Sequence, residues 1–317
     1  MFFQIAKAAK NEWWMYFLGF ICVFVGYFLG QIPLMIVLLI AVNKDPNLDM
    51  SDIVSLQTEM NFEKFGIDSN VGFILLLLMF VFAMIALYLV MRLIHKSDLR
   101  SLITPFKSIN WGKVLFGFGL WFGMTVLLEG VSYFTNPEAY EFTLNVSSFL
   151  PLLVIAILLL PIQTSLEELL FRGYLMQGIG LVASHKWIPL VITSLGFGLI
   201  HMANPEVIEF GVGTMLVYYV SAGLLLGIIT VMDDSLELAL GVHAATNIYG
   251  AVMVGYNGSA IQTDTILKTS DINPNLMTAV FLVSAVVFYI ICSKKYSWEP
   301  ITKLFEPINN KPTQYYA

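Results

Sequence analysis

Two adjacent carboxylates and a guanidinium interrupt one of the most apolar stretches of the chain. Glu167, Glu168 and Arg172 closely follow residues 149–160, a run without a charged residue. An ionisable group at membrane depth costs about 2.5 kcal/mol or more, so such groups are rare without a function or a partner. In a helix, Glu168 and Arg172 lie one turn apart and can pair, whereas Glu167 points about 100° away. The pattern predicts one carboxylate neutralised by its own helix and one free to face another element.

Further polar groups lie in apolar runs in the C-terminal half of the sequence. His201 ends one run, one helical turn after Phe197, and His243 and Asn247 lie one turn apart inside another. Each group would impose its own desolvation cost if it were buried alone. A shared cavity would let these groups satisfy one another, so we expect them to converge with Glu167 on a single pocket.

The spacing along the chain offers a geometric check on this expectation. Glu167 and His201 each lie 17 residues from position 184, where the polar residues His185 and Lys186 mark a break. If the two flanking segments form an antiparallel pair of helices, an equal rise per residue places both groups at the same depth. They would then be neighbours.

A free carboxylate, two imidazoles and a carboxamide are suited to hydrolysis. Glu167 could take a proton from a water that His201 holds, because burial makes a carboxylate a better base near neutral pH. His243 and Asn247 could donate hydrogen bonds to a tetrahedral oxyanion. The same Glu167, His201 and His243 could instead bind Zn²⁺. The His-Glu-x-x-His zinc signature, however, is absent from the sequence.

The composition restricts the class of protein that can hold these groups. The chain is 58% hydrophobic and 12% charged, against about 25% charged for soluble domains. Its apolar runs are too long for the strands of a β-barrel. A net charge of −6 gives no support for nucleic-acid binding, and Cys22 and Cys292 do not suggest a disulfide framework. These features favour a polytopic α-helical membrane protein.

Apolar runs of about 20 residues are long enough to span a membrane. They predict an all-α, polytopic transmembrane helix bundle of about eight helices, near 15–42, 71–94, 112–134, 148–163, 187–203, 209–232, 235–256 and 276–292. Segment 164–182, which holds the charged motif, is ambiguous. It could be a further membrane helix or a partly interfacial one, and a broken or re-entrant helix near Pro161 is an alternative.

Basic residues in short loops predict the orientation of a membrane protein. The 92–113 stretch carries five basic residues, whereas the 43–70 loop carries six acidic residues against two lysines. Lysines also lie near both termini, at Lys7, Lys10, Lys294, Lys295, Lys303 and Lys311. We therefore expect cytoplasmic N- and C-termini, an even number of spans, and a location in the bacterial inner membrane.

Three motifs, taken in order, resemble those of a known family. They are Glu167-Glu168-x-x-x-Arg172, Phe197-x-x-x-His201 and His243-x-x-x-Asn247. The set is similar to that of the CAAX protease and bacteriocin-processing family, also called the Abi family, which includes the CAAX prenyl endopeptidases. Each motif alone is weak, but the ordered set in hydrophobic helices is specific. The resemblance covers roughly residues 148–256 and leaves residues 1–110 unexplained.

The resemblance implies an intramembrane endopeptidase of the glutamic type. Glu167 would activate water together with His201, and His243 and Asn247 would form the oxyanion hole. The remaining motif residues are expected to support them: Glu168 and Arg172 by pairing, and Phe171 and Phe197 as walls of the pocket. No cofactor is expected, and zinc bound through Glu167, His201 and His243 is the alternative that the resemblance does not favour.

The same resemblance suggests a division of the chain and a class of substrate. Residues 1–147 would hold about three N-terminal spans with their loops, 148–256 a catalytic helix core, and 257–317 the last span and a cytoplasmic tail. The expected partners are the lipid bilayer and a membrane-associated peptide or protein precursor. A non-enzymatic bacteriocin self-immunity protein and a proton-coupled transporter are the competing hypotheses.

Overall fold

Helices form most of the computed structural model, which describes residues 2–8 and 11–308. In chain order they are α1 Gln4–Ala8, α2 Trp13–Lys44, α3 Met50–Glu59, α4 Ser69–Leu93, α5 Arg100–Ile103, α6 Trp111–Thr135, α7 Val146–Glu168, α8 Met176–Gly180, α9 Trp187–Ile200, α10 Pro205–Phe210, α11 Val212–Asp233, α12 Glu237–Val252 and α13 Pro274–Lys295. Short 3₁₀ turns occupy Glu63–Phe65, Pro137–Ala139, His201–Ala203 and Ile301–Phe305, and a π-helix occupies Leu169–Leu175. The predicted all-α class is confirmed.

Six helical segments among the described residues are long and apolar enough to cross a membrane. They are α2, α4, α6, α11, α13 and the continuous segment Val146–Gly180. The chain is therefore an integral, multi-pass membrane protein. Helices α9 and α12, with 14 and 16 residues, are shorter than the about 20 residues that a full span needs. The predicted number of eight spans stays a prediction. Lys10 and Lys311, two of the charges used to predict the orientation, lie outside the described residues.

The segment that carries the charged motif is one uninterrupted helical rod. Helix α7 passes through Pro151 and Pro161 and continues through the π-helix into α8. The alternatives of a break near Pro161 and of a separate helix over 164–182 were therefore wrong. Proline is unfavourable inside a helix in water because it removes a backbone donor. In a membrane the helix has no water to satisfy its backbone groups, and such prolines are tolerated.

Helix α7 lies between two other helices of the bundle. It packs on α4 and on α12, while α2 packs on α4 and α12 packs on α6. The approach of α12 to α6 is so close that a Cβ atom at Gly241 would lie 2.1 Å from the backbone oxygen of Val114. Only glycine fits there. This contact holds α12 at a fixed position opposite α7, and both helices carry motif residues.

A small sheet, which the sequence did not predict, lies at the end of the bundle where α7 begins and α12 ends. Strands β1 Tyr140–Phe142, β2 Val254–Tyr256 and β3 Leu267–Thr269 pair in the order β1-β3-β2, β1 antiparallel and β2 parallel to β3. Strand β2 follows α12 almost directly, so its pairing with β3 anchors the end of that helix.

The opposite end of the bundle is held by an acidic pair between α11 and α12. Asp233 accepts hydrogen bonds from Lys113 Nζ at 2.8 Å and from Trp298 Nε1 at 3.0 Å. Asp234 accepts from Lys303 Nζ at 2.8 Å. These bonds join the connection between α11 and α12 to α6 and to the segment that follows α13.

Candidate active site

Glu168, the second glutamate of the motif, is an internal counterion. Its side chain and that of Arg172 are both fully buried, and Arg172 Nη1 donates to Glu168 Oε1 at 2.7 Å. The pair predicted from the one-turn spacing is therefore present. Arg172 also donates through Nη2 to the Gly223 carbonyl at 3.1 Å, and its guanidinium lies 4.2 Å from the centre of the Phe197 ring. These contacts connect the π-helix to α9 and α11.

Glu167, the first glutamate, points towards other helices, as predicted. Its Oε1 accepts a hydrogen bond from Gln163 Nε2 at 2.5 Å. Its Oε2 is buried and has no hydrogen-bond partner among the described residues. This oxygen lies 3.5 Å from His243 Nε2 and 3.9 Å from His201 Nε2. The structure thus brings together three groups that are far apart in sequence.

His201 reaches the site from the end of α9. Its Nδ1 lies 2.7 Å from the Phe197 carbonyl oxygen, and its ring stacks on Tyr219 with centroids 4.5 Å apart. A carbonyl oxygen can only accept, so Nδ1 carries the hydrogen. In the neutral imidazole the Nε2 lone pair then faces Glu167. The one-turn spacing of Phe197 and His201 has a direct role, because the backbone of one fixes the tautomer of the other.

His243 is oriented in a similar way by a charged group. Its Nδ1 lies 2.7 Å from Glu168 Oε1, so Nδ1 donates to the carboxylate and Nε2 is directed at Glu167. Glu168 therefore neutralises Arg172 and also orients His243. The side chains of Glu167, His201 and His243 are 11%, 14% and 8% exposed. One carboxylate oxygen and two imidazole nitrogens converge on one small region. Glu167 Oε2 and His201 Nε2 are acceptors there, so a molecule held between them has to supply hydrogen-bond donors or positive charge.

Asn247 lies on the same face of α12 as His243 and joins the site through Gln163. Its Nδ2 donates to Gln163 Oε1 at 2.8 Å. Gln163 was not among the predicted site residues, although it lies one helical turn before Glu167 and so on the same face of α7. That spacing was the signal that could have found it.

The two predicted wall residues lie in different layers. Phe197 is buried and its ring centre lies 5.9 Å from that of His243 and 4.3 Å from that of His201. Phe171 packs edge-on against Phe197 with centroids 5.5 Å apart. Phe197 thus lines the cluster, and Phe171 supports it from behind.

A second polar network, which the sequence did not indicate, lies beside His201. Asn204 Nδ2 donates to the Tyr219 hydroxyl at 3.0 Å. Glu206, 5% exposed, accepts from the Ala260 backbone N–H at 2.7 Å. Burial raises the pKa of the Glu206 carboxyl above its ordinary value. This network ties the segment after His201 to α11 and to the loop that follows β2.

The same residues include side chains that can bind a metal ion. Among residues 2–8 and 11–308, no group of three or more His, Cys, Asp or Glu side chains is arranged to hold a metal ion. Glu167, His201 and His243 nevertheless present one oxygen and two nitrogens to a common region. Zinc through these three groups therefore stays an alternative to be tested.

Comparison with known proteins agrees with the motifs. The sequence model of the family described as type II CAAX prenyl endopeptidase Rce1-like matches residues 146–249, a range that contains every motif residue. A Bacillus subtilis (strain 168) protein, the uncharacterized protein YyaK, is 32% identical over 244 residues, or 76% of this chain and 77% of YyaK. No solved structure matches the chain. The resemblance inferred from the three motifs is confirmed, and the chain belongs to the Rce1-like family of CAAX-type membrane proteases.

Proposed function

We propose that this protein is an intramembrane endopeptidase that hydrolyses a peptide bond with a water molecule activated by Glu167. The observation that carries the proposal is that His201 Nε2 and His243 Nε2 both lie within 3.9 Å of Glu167 Oε2. Glu167 Oε2 is buried without a protein donor among the described residues. A buried carboxylate oxygen that faces two imidazole nitrogens is suited to accept a proton from water.

In the first step, a water held between Glu167 and His201 attacks the scissile carbonyl carbon. Glu167 Oε2 takes one proton from the water, and the new bond joins the water oxygen to that carbon. The electron pair of the carbonyl π bond moves to its oxygen, which becomes an oxyanion. His201 is held by the Phe197 carbonyl with Nδ1 as donor, so its Nε2 accepts the second water hydrogen.

Stabilisation of the oxyanion falls to His243 and Asn247. The buried site holds two carboxylates, Glu167 and Glu168, against one guanidinium of Arg172. One further proton on an imidazole makes the site neutral, which lowers its desolvation cost. His243 takes this proton because its Nδ1–H is already paired with Glu168. Its Nε2–H and one Asn247 N–H then donate to the oxyanion.

In the second step, the tetrahedral intermediate collapses. The carbonyl reforms, the C–N bond breaks, and the amine leaving group takes the proton that Glu167 accepted from water. The products are a carboxylic acid and an amine, and Glu167 returns to its ionised form. No group of the protein is consumed, and no covalent intermediate with the protein is formed.

The substrate we propose is a membrane-associated peptide or protein precursor. The reacting groups lie between α7, α9 and α12 inside a bundle of apolar helices, so a substrate has to reach them from the bilayer or its surface. A net charge of −6 is unsuited to nucleic acid. From the distribution of basic loops we place both termini in the cytoplasm and the protein in the bacterial inner membrane.

The proposal is tested with the full chain purified in detergent and reconstituted in lipid. Wild-type protein and Glu167→Gln are each incubated with internally quenched peptides that carry a hydrophobic anchor, and the cleaved bonds are identified by mass spectrometry. We expect cleavage by the wild-type protein that is absent from Glu167→Gln. Cleavage that does not depend on Glu167 would contradict the mechanism.

The same pair of variants separates the enzyme from a non-enzymatic immunity protein. Cells that produce either form are challenged with bacteriocins, and their membrane proteins are compared for new termini. Protection that persists in Glu167→Gln, without any new terminus in the wild type, would favour a binding role.

A further inference from the structure

Gln163 contacts both parts of the proposed catalytic machinery. Its amide nitrogen donates to Glu167 Oε1 at 2.5 Å, and its amide oxygen accepts from Asn247 Nδ2 at 2.8 Å. We propose that Gln163 is a positioning residue that sets the geometry of both the water-activating carboxylate and the oxyanion donor. This inference rests on the proposed hydrolytic function and adds to it a residue outside the three sequence motifs.

The chemistry of the neighbours fixes the orientation of the Gln163 amide. An ionised carboxylate can only accept hydrogen bonds, so the NH₂ group of Gln163 has to face Glu167. The carbonyl oxygen of Gln163 then faces Asn247, which has to present its own NH₂ group. The bond to the carboxylate therefore determines the rotamer of the next amide, and both amides are ordered by one charged group.

The first consequence concerns Glu167. Its Oε1 accepts the hydrogen bond from Gln163, whereas its Oε2 faces the two imidazoles. A carboxylate without this hydrogen bond could rotate about its last torsion, since terminal torsions of this type are broad. Gln163 thus selects which oxygen faces the water, and its N–H stabilises the ionised form of the base.

The second consequence concerns Asn247. A carboxamide nitrogen has two hydrogens, and Gln163 takes one of them. The other hydrogen stays available for the oxyanion, in a direction set by the planar amide. Asn247 is only half-buried, so without Gln163 its side chain could turn out of the site.

Other groups around Glu167 do not supply this link. The charged and titratable neighbours are Glu168 and Arg172 on its own helical rod, His201 from α9, His243 from α12 and Tyr27 from α2. The contacts of His201 and His243 with Glu167 involve Oε2. Only Gln163, among the hydrogen bonds of the described residues, joins Oε1 to the Asn247 side chain.

A second buried glutamine on the same rod serves as a matched control. Gln177 is 1% exposed and donates to the backbone oxygen of Ser101 at 3.1 Å. It contacts none of the motif residues through that bond, and its function is to hold α8 against α5. Gln177→Met therefore removes another buried amide from the same rod without touching the site.

The test compares Gln163→Met, Gln163→Asn and Gln177→Met with the wild type on the internally quenched peptide that the wild type cleaves fastest. Methionine keeps the length but removes both hydrogen bonds, and asparagine is one methylene too short to bridge the two partners. We expect kcat to fall by about 10- to 100-fold in both Gln163 variants, as for other groups that orient reacting residues. KM should change little.

The split between kcat and KM provides a readout that a purely structural role would not change. When the two Gln163 hydrogen bonds are lost, the Glu167 carboxylate and the Asn247 amide are no longer held in the arrangement that the reaction needs. The fall should then appear in kcat and not in KM for Gln163→Met, and neither constant should change in Gln177→Met. Thermal unfolding in the same detergent shows that the compared proteins are folded.

Two results would overturn the inference while leaving the proposed function intact. One is a wild-type kcat in folded Gln163→Met. The other is failure of both Gln163 variants to fold when Gln177→Met folds, which would assign Gln163 a structural role. A wild-type protein that cleaves no peptide better than Glu167→Gln does would instead overturn the proposed function and this inference with it.

Discussion

Two pairs of adjacent acidic residues lie in the apolar bundle, and they differ in how far their hydrogen-bonding capacity is used. At Asp233 and Asp234, between α11 and α12, the carboxylate oxygens accept hydrogen bonds from Lys113, Trp298 and Lys303. At Glu167 and Glu168 one oxygen of each carboxylate is buried without a donor among the described residues. Carboxylates whose oxygens all accept hydrogen bonds hold structural elements together. A carboxylate with a buried oxygen that lacks a donor has hydrogen-bonding capacity left for a substrate or a water.

The two acidic pairs also differ in where their cationic partners lie along the chain. The cations that hold the Asp pair come from α6 and from the chain after α13, so these bonds connect distant parts of the fold. At the Glu pair the guanidinium of Arg172 belongs to the same helical rod, and its ion-pair contact is with Glu168. Glu167 has no such cation among the described residues and faces the imidazoles of His201 and His243. The difference predicts opposite effects of mutation at the two pairs.

Glu167→Gln should give the largest effect on activity. The amide keeps the shape of the side chain but cannot accept a proton from water, so we expect cleavage to fall about 10²- to 10⁴-fold. Thermal stability should be within error of the wild type. The measurement is kcat on a cleavable peptide together with the unfolding midpoint, and wild-type turnover in this variant would remove the distinction between the two pairs.

Arg172→Met should give the largest effect on folding. It leaves Glu168 charged and without its cation at a fully buried position, which costs about 3–5 kcal/mol. We expect a low yield of monodisperse protein after detergent extraction. The double variant Arg172→Met/Glu168→Gln, which removes both charges, is the control and should recover part of the yield. A normal yield of the single variant would contradict the assignment of Glu168 as an internal counterion.

Asp233→Asn should weaken the fold without affecting the chemistry. The side chain is 2% exposed and paired with Lys113, so loss of its charge should cost about 1–3 kcal/mol. We expect a lower unfolding midpoint and an unchanged kcat for the folded fraction. If kcat falls while the midpoint is unchanged, the Asp pair has a functional role and the comparison fails.

Tyr219→Phe should give a smaller effect. It removes the hydroxyl that accepts from Asn204 but keeps the ring that stacks on His201. Because a neutral hydrogen bond contributes about 0.5–1.5 kcal/mol, we expect at most about a tenfold loss in kcat/KM. Tyr219→Leu, which also removes the stacking, should lose more. Equal losses in the two variants would show that the ring does not orient His201.

Chelation should have the smallest effect, since the proposed mechanism needs no metal. Protein treated with a strong chelator should keep its activity, and elemental analysis of the purified chain should show no stoichiometric zinc. One tightly held zinc per chain, with activity lost on removal and restored on addition, would instead favour coordination by Glu167, His201 and His243.

The sequence predicted those parts of the site that depend on helix geometry and on desolvation. One-turn spacings placed Glu168 with Arg172 and His243 beside Asn247, and equal distances from position 184 placed Glu167 near His201. These rules apply because a polar group in an apolar bundle has few alternatives to meeting another one. The family was indicated separately, by the resemblance of the three ordered motifs.

The remainder could not be read from the sequence because it depends on contacts between distant segments. The partner of Gln163 on α12, the stacking of Tyr219 on His201 and the pairing of β3 with β2 each join residues that no periodicity relates. The interpretation of Pro161 failed for a different reason. That prediction applied a rule for helices in water. Within a membrane no water is available to the backbone groups that a broken helix would expose, so the helix continues.

The π-helix at Leu169–Leu175 affects how related sequences should be compared. Its turns close from residue i to i+5 and so hold one residue more than an α-turn, a form that recurs at functional sites. Removal of a single residue there would restore a regular helix and rotate everything that follows relative to Glu167 and Glu168. A one-residue gap at this point between two aligned chains would therefore indicate a change in the site, and should not be closed as an alignment error.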